Sequence, residues 1–345
     1  MIEIQPYFRA FARPTFLCAP LVLAAAFVCG SSVAVAQAAL PDVVKPPVAI
    51  NLGSTSFYDG FGRIKPGVTL LQYFRWAHNT EIAGANGSEN PLFLGPRIDA
   101  FPSLTQAIVA SKWHPFGGGT GFSVLLPVVD RTTGFASNSP KRLSNDGLGI
   151  GDIIAGPIYQ SKYFVHDPEV GGQNSYLAYR AQFLVQIPTG KFDSAKSLDS
   201  GSGYWAVAPY LAATWLPVPR LEISTRFHYQ YNLATTRIPS PPPIPHLVYK
   251  SGQAGQLLYD NLTASWKLTH KLYLGTNAYG LYQLTPDRTN GTPVAKARET
   301  QFYLGPGGGY NFGKDNSINV NLYLKAEAHN TAAGPQLQLL YIHRF

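Results

Sequence analysis

The chain has 345 residues, with 27 Lys and Arg against 19 Asp and Glu, a formal net charge of +8 and only two cysteines. The basic residues are spread along the sequence without a Lys/Arg run, which argues against a nucleic-acid-binding surface. Cys18 and Cys29 both lie near the N-terminus, so the rest of the chain cannot depend on disulfide bonds.

The N-terminal segment is typical of an export signal. Arg9 and Arg13 precede an apolar stretch, TFLCAPLVLAAAFVCG, and AVAQA then offers cleavage after Ala36 or Ala38. A membrane anchor is the less favoured alternative, because the apolar stretch is short and is interrupted by proline and glycine. We therefore predict a cleaved signal peptide over residues 1–38.

From residue 67 onward, strand-like segments alternate with turn-forming residues. In LEISTRFHYQYN (221–232), apolar and polar side chains alternate, which gives a strand one apolar and one charged face. We predict an all-β fold, a transmembrane antiparallel β-barrel of about twelve strands within a range of about ten to fourteen, over residues 67–345. Residues 39–66 are predicted to be a periplasmic or lumenal segment. The predicted strands are 67–78, 103–113, 120–129, 149–160, 174–187, 203–216, 221–232, 256–268, 271–284, 297–311, 317–328 and 335–345.

The connections between these strands alternate between long and short. Outer-membrane barrels have long extracellular loops and short periplasmic turns, so we predict that the first strand runs outward. The exceptions to the alternation are 161–173 and 329–334. The predicted outer connections are 79–102, 130–148, 188–202, 233–255, 285–296 and 329–334. The predicted inner connections are 114–119, 161–173, 217–220, 269–270 and 312–316.

Two tryptophans identify the solvent that each face meets. Trp205 and Trp215 lie on the same face of YWAVAPYLAATWL, at a separation of about 33 Å along a strand. With a tilt of about 40°, this spacing projects to roughly 25 Å, the height of an outer-membrane apolar band with aromatic girdles. We predict that the apolar faces meet lipid and the polar faces meet a watery lumen, with a soluble β-sandwich as the alternative.

The C-terminal stretch LQLLYIHRF ends an amphipathic strand on an aromatic residue, Phe345. This is the pattern that the outer-membrane assembly machinery reads. The sequence therefore predicts that machinery and outer-membrane lipid as partners, and the Gram-negative outer membrane as the location.

The polar faces supply the predicted lumen lining. Charges of both signs on this lining can pair across a narrow barrel. Such a wall suits small, partly aromatic or anionic solutes, and it equally suits a plugged barrel. The residues predicted to line the lumen are Arg75, Asp152, Arg180, Gln182, Glu222, Arg226, His228, Gln230, Lys267, Lys325 and Glu327.

Motifs for catalysis, cofactors and metals are weak. The glycine-rich stretches HPFGGGTGF, GLGIGD and GPGGGY are followed by no predicted helix and lack a Gly-Lys-Ser/Thr signature, so nucleotide binding is not expected. The eight histidines lack metal-ligand spacing. Ser224 and His228 share a face but lie about 13 Å apart along the strand, too far for proton transfer. We predict no catalytic, cofactor-binding or metal residue, with a lipid-modifying barrel enzyme as the alternative.

Several stretches together resemble one outer-membrane family. They are GSTSFYDGFGRIKPGVTLLQY (53–73), FSVLLPVVD (122–130), GLGIGDIIAGP (147–157), QIPTGKFD (186–193), GSGYWAVAPYLAATW (201–215) and LTHKLYLGTNAYGLYQLTPD (268–287). The chain is similar to the family labelled the Putative MetA-pathway of phenol degradation, which includes SphA-like proteins. GLGIGD departs slightly from the shorter Gly-Leu-Gly-Asp turn of that family. The resemblance implies an outer-membrane pore or uptake protein linked to hydrophobic or aromatic compounds. We therefore predict passive uptake of small organic solutes, not enzymatic activity.

Overall fold

The computed structural model of the chain describes residues 42–44, 52–54, 56–166, 174–238 and 247–345. The predicted signal peptide lies outside the described residues, as does part of the Pro-rich connection 233–255. No helix within the described residues is long and apolar enough to span a membrane.

Within the described residues, twelve long strands form a closed antiparallel β-barrel. Each strand pairs with its neighbours in chain order, and β1 closes the barrel by pairing with β12 as well as with β2. The strands are β1 Gly67–Asn79, β2 Arg97–Ala110, β3 Gly119–Gly134, β4 Ile153–Gln160, β5 Ser175–Ile187, β6 Ala206–Val218, β7 Leu221–Asn232, β8 Leu257–Lys267, β9 Leu272–Gln283, β10 Thr300–Phe312, β11 Asn316–His329 and β12 Gln336–Arg344.

The predicted number of strands is confirmed, and most of the bounds agree within a few residues. The largest differences lie in β2, which begins at Arg97, and in β3, which extends to Gly134. Pro102 and Pro127 lie inside these strands and pair with Val129 and Leu104. A proline restricts the preceding residue to extended backbone, so it can continue a strand as well as end one. The predicted second strand, 103–113, was wrong at its start, since the strand continues through Pro102 back to Arg97.

The two faces of the wall differ as expected from the alternation in β7. Phe227 is 47% exposed on the outer face, whereas Arg226 is only 3% exposed on the inner face. Trp205 and Trp215 are each 48% exposed, on the same outer face. Because the charged face is the enclosed one, the outer surface presents apolar side chains to its surroundings, as in outer-membrane barrels.

The two ends of the barrel differ in the length of their connections. At the long-loop end, the connections carry short strands of their own; Glu81–Ile82 pairs with Ala332–Ala333, and Gly252–Gln253 pairs with Arg288–Thr289. At the short-turn end, the connections include the turn at Lys314 and Asp315 and the 3-10 turn Pro115–Gly117. The chain enters β1 and leaves β12 at this short-turn end.

Candidate functional site in the barrel lumen

Several described residues before β1 lie inside the barrel and bind its inner face. The backbone N–H of Gly60 donates to Thr214 Oγ1 at 2.8 Å, and Gln160 Nε2 donates to the carbonyl of Gly60 at 2.9 Å. Tyr163 OH donates to the carbonyl of Gly62 at 2.9 Å. We call residues 52–54 and 56–62 the lumenal segment. Several of its backbone polar groups are satisfied by side chains of the barrel, as buried backbone requires.

Two of the predicted lumen arginines, on β5 and β7, hold one carboxylate of the lumenal segment. Arg180 Nη2 donates to Asp59 Oδ1 at 2.9 Å, and Arg226 Nε donates to Asp59 Oδ2 at 2.6 Å. Arg226 Nη2 also donates to Asp59 Oδ1, so this pair is bidentate. The Arg226 guanidinium lies 4.9 Å from the centre of the Tyr210 ring. These contacts form an arginine clamp, consisting of Asp59, Arg180 and Arg226.

The clamp sets the charge state of Asp59. Burial alone would raise the pKa of this carboxyl, but the guanidinium groups of Arg226 and Arg180 hold its pKa below the ordinary value. Asp59 therefore stays ionised near neutral pH. One negative charge of the segment is bound to two positive charges of the wall.

Arg75 holds the other described part of the lumenal segment. Its guanidinium donates to the carbonyl of Leu52 and to Gln338 Oε1, and it lies 5.8 Å from the centre of the Tyr279 ring. Gly53 next to Leu52 has φ of +65°, and a Cβ there would lie 2.5 Å from Cδ1 of Tyr279. Glycine is required at this position for both reasons.

The predicted acidic residues Glu222 and Asp152 do not pair with these arginines. Glu222 accepts hydrogen bonds from the Tyr58 N–H at 3.0 Å, from Thr263 Oγ1 at 2.9 Å and from Ser265 Oγ at 2.7 Å. Asp152 accepts from Gln186 Nε2, from the Gly190 N–H and from the Ser202 N–H, each at 2.9 Å. Glu222 thus fixes the lumenal segment. Asp152 fixes the connection between β5 and β6.

The uncharged predicted residues cluster around two tyrosines of the inner face. His228 is fully buried, and its ring lies 4.2 Å from that of Tyr259 and 4.7 Å from that of Tyr210. Tyr210 OH donates to Gln182 Oε1, and Gln230 Nε2 donates to Asn232 Oδ1 at 2.8 Å. All three predicted side chains are therefore enclosed by the barrel.

The remaining predicted residues occupy the two ends. Lys267 Nζ lies 5.7 Å from the centre of the Tyr58 ring at the short-turn end, and Lys325 forms an ion pair with Glu81 at the long-loop end. Glu327 is not brought to the inner face. The pairing of β10 with β11 shifts register here, because Lys325 pairs with Tyr303 whereas Glu327 pairs with the adjacent Phe302. The Glu327 side chain is 56% exposed. The bulge at Ala326 reverses the side on which later residues point.

The contacts of the lumenal segment are the part of the candidate site that sequence reasoning did not resolve. Apolar and polar side chains do not alternate regularly around Asp59, so the pattern that identified the strands did not identify this segment. The sequence did contain one relevant signal, which was an excess of positive charge on the predicted inner face. Five cationic side chains against three acidic ones were predicted on the inner face, and an enclosed excess of charge requires a counter-charge from elsewhere.

Cavities lie on both sides of the lumenal segment. The short-turn cavity has a volume of about 310 Å³ and is bounded by residues 56–63, by Tyr273 and by the turn at His270. The long-loop cavity has a volume of about 390 Å³ and is bounded by Leu52, Arg75 and residues of the long connections. Leu104, Leu125, Ile154, Leu184 and Leu340 belong to one apolar patch on the inner face. The interior thus contains polar, aromatic and apolar surfaces.

Comparisons with known proteins agree with this architecture. The model of the family described as "Putative MetA-pathway of phenol degradation" matches residues 72–341. An outer membrane channel from Pseudomonas putida F1 is similar in structure, with a TM-score of 0.67, 12% sequence identity, and coverage of 84% of this chain and 100% of that one. This likeness shows the fold of an outer-membrane-type barrel.

Two further structures are less similar. The translocator domain of the autotransporter NalP from Neisseria meningitidis has a TM-score of 0.40 and 12% identity, covering 83% of this chain and 91% of that one. The TodX monoaromatic hydrocarbon channel has a TM-score of 0.41 and 7% identity, covering 85% of this chain and 96% of that one. No curated protein matches the sequence.

Proposed function

The chain belongs to the Putative MetA-pathway of phenol degradation family, and we propose that it is a passive channel for small organic solutes in a Gram-negative outer membrane. The observation that carries this proposal is a closed barrel with an apolar outer face whose interior holds cavities at both ends. The similar protein from Pseudomonas putida F1 is described as an outer membrane channel, which agrees with this function.

We further propose that the long-loop end is extracellular and the short-turn end is periplasmic. Outer-membrane barrels place their long loops outside the cell and their short turns in the periplasm. In this orientation, the chain enters β1 from the periplasm after the signal peptide is removed. Phe345 then lies at the periplasmic end of β12, where the assembly machinery would meet it.

Residues 39–66 are proposed to act as a plug that closes the channel. The support is the set of contacts from Arg75, Arg180, Arg226 and Glu222 to the lumenal segment, which lies between the two cavities. These contacts are polar, and polar contacts can exchange with water and re-form. The apolar inner patch beside the plug would suit solutes with hydrophobic or aromatic parts.

A lipid-modifying enzyme is the second candidate, and the described geometry disfavours it. Ser224 Oγ donates to Glu222 and contacts Thr214 Oγ1 at 2.6 Å, whereas the His228 ring lies between two tyrosines. A nucleophile needs its base within hydrogen-bond reach, on a surface that the lipid can contact. Both side chains instead lie on the inner face.

Conductance in planar lipid bilayers tests the channel and the plug together. The full chain should show low ion conductance, and a variant without residues 39–62 should show a larger, steady conductance. Both proteins should first migrate faster on a gel when unheated than when heated, which shows that the barrel is folded. If both barrels are folded and neither conducts ions or passes small sugars in liposome swelling, the channel function is wrong.

A further inference from the structure

The short-turn cavity combines aromatic walls with unbalanced positive charge. Its volume of about 310 Å³ lies within the range of about 300–1,000 Å³ that is usual for small-molecule sites. One side is formed by the lumenal segment and the other by the inner faces of the wall strands. A solute that passes the plug would meet this cavity at the end of its path.

The aromatic wall is made of rings that contact one another. The ring of Tyr273 lies 5.2 Å from that of Tyr58 and 5.6 Å from that of Phe57, both in edge-on geometry. Phe61 lies 6.4 Å from Tyr58 on the same wall. An aromatic solute can add to such a cluster with offset or edge-on geometry.

The charges on this cavity do not cancel. Asp59 is already bound by Arg180 and Arg226, and the nearby Glu222 accepts hydrogen bonds from hydroxyl and backbone donors rather than from a cation. Lys267 and Arg344 also line the cavity, and within the described part of the chain neither forms an ion pair with a carboxylate. The cavity therefore keeps Lys267 and Arg344 without an ion pair to a described carboxylate side chain, while Arg63, which also lines it, donates to the Phe345 oxygen.

Hydroxyl groups add to these cations. Ser56 lines the cavity and is buried, and its Oγ has no hydrogen-bond partner among the described residues. Such a buried polar atom costs free energy unless a ligand or water satisfies it. A carboxylate can accept hydrogen bonds from a hydroxyl, from an ammonium and from a guanidinium at the same time.

We propose that the short-turn cavity is a binding site for small aromatic carboxylates. The ring of the solute would pack on Tyr58 and Tyr273, and its carboxylate would be bound by Lys267 and Arg344. Neutral aromatics would lose the charge-assisted bonds, and aromatic amines would be repelled. This site deepens the proposed channel function, because it names the solute class that the channel would release at its periplasmic end.

The test is a direct binding titration of the folded full chain in a zwitterionic detergent, with empty micelles as the blank. Benzoate should bind at least tenfold more tightly than benzyl alcohol or cyclohexanecarboxylate, and benzylamine should not bind. Lys267→Gln should weaken benzoate binding about tenfold, which corresponds to about 1.4 kcal/mol. Lys141→Gln makes the same change on an exposed loop at the opposite end and should leave binding unchanged. If Lys267→Gln does not fold, Arg344→Gln takes its place.

Each other outcome overturns a stated part of the proposal. Equal affinity for benzoate and benzyl alcohol would exclude the anion site, and equal affinity for cyclohexanecarboxylate would exclude the aromatic wall. Unchanged binding in a folded Lys267→Gln or Arg344→Gln variant would place the site elsewhere. Conductance separates this proposal from the channel function, since a conducting chain that fails to bind benzoate disproves only the site. A chain that binds benzoate but never conducts disproves only the channel.

Discussion

Asp59 and Arg226 are 167 residues apart in sequence, and their side chains form a bidentate pair inside the barrel, with Arg226 Nε 2.6 Å from Asp59 Oδ2. Asp59 belongs to the lumenal segment, which lies inside the barrel, and Arg226 belongs to strand β7 of the barrel wall. The pair is therefore a contact between the barrel wall and the segment that we propose as a plug. Its strength should influence both folding and conductance.

We expect Asp59→Asn to weaken the closed state. The substitution leaves Arg180 and Arg226 enclosed without their counter-charge, and breaking such a pair costs on the order of 3–5 kcal/mol when it is fully buried. The free energy of unfolding, measured in urea with the protein in lipid vesicles, should fall. Conductance should rise, and residues 56–62 should become sensitive to protease.

Asp315→Asn is the matched control, because it makes the same change in an exposed turn. It should change neither the unfolding free energy nor the conductance. If Asp59→Asn behaves like this control, the arginine clamp does not hold the segment.

The second prediction concerns the lipid-facing surface of β7. Phe227→Arg should destabilise the folded barrel by about 2–4 kcal/mol, the cost of a charged side chain that faces lipid near the middle of the membrane. Phe227 has this orientation because its neighbour Arg226 faces the lumen. Val248→Arg, in an exposed part of a long connection, should cost little. Unfolding of both variants in lipid vesicles provides the comparison. Equal stability of the two variants would show that Phe227 does not face lipid.

Strand patterns were readable from the sequence because each wall strand meets two different surroundings. In β7, six alternating polar positions became buried inner residues, and the predicted range 221–232 equals the observed one. The alternation has a period of two residues, so it identifies the face of each residue without any knowledge of neighbouring strands. It fails where the period is interrupted, as at Ala326, where the bulge moved Glu327 off the inner face.

The lumenal segment could not be predicted in the same way. Its position depends on contacts with β5, β6, β7 and β11, which come together only when the barrel closes. The sequence did contain the excess of inner cations over inner acids. It did not show that Asp59 was the acid that balances Arg180 and Arg226, since residues far apart in sequence carry no local sign of their pairing.

The third prediction concerns assembly through the C-terminus. Phe345 is exposed, and its N–H donates to the Val68 carbonyl at 2.9 Å, beside the seam where β12 meets β1. Phe345→Ala should leave that backbone bond intact but remove the aromatic group that we propose as the assembly signal. We expect a lower amount of folded protein in the outer membrane and more protease-sensitive protein in the periplasm. Phe116→Ala, an exposed phenylalanine in a short connection, is the control and should assemble normally. Normal assembly of both variants would show that Phe345 is not part of the signal.

The last prediction concerns a carboxyl pair at the long-loop end. Asp287 accepts hydrogen bonds from the Gly255 N–H at 2.6 Å and from Gln283 Nε2 at 2.7 Å, and its side chain bonds to that of Asp42. Burial, together with the charge of Asp42, raises the pKa of Asp287 from 3.8 to about 9. Burial likewise raises the pKa of Asp42. The pair thus retains a proton at neutral pH. This proton forms the hydrogen bond between Asp42 and Asp287, which lies in the connection between β9 and β10.

Because the folded state binds this proton more tightly than the unfolded state does, the contribution of the pair to stability falls as the pH rises from about 4 to about 9. The melting temperature of the folded barrel should therefore decrease across this window by more in the wild type than in Asp287→Asn. The asparagine keeps the oxygen acceptor and supplies a permanent N–H donor toward Asp42, so at pH 8 the variant should be the more stable protein. Heat-modifiable gel migration between pH 5 and pH 9 measures both effects, with Asp315→Asn as the matched control that should follow the wild type. Parallel curves for the wild type and Asp287→Asn would show that the carboxyl pair holds no proton in the folded barrel.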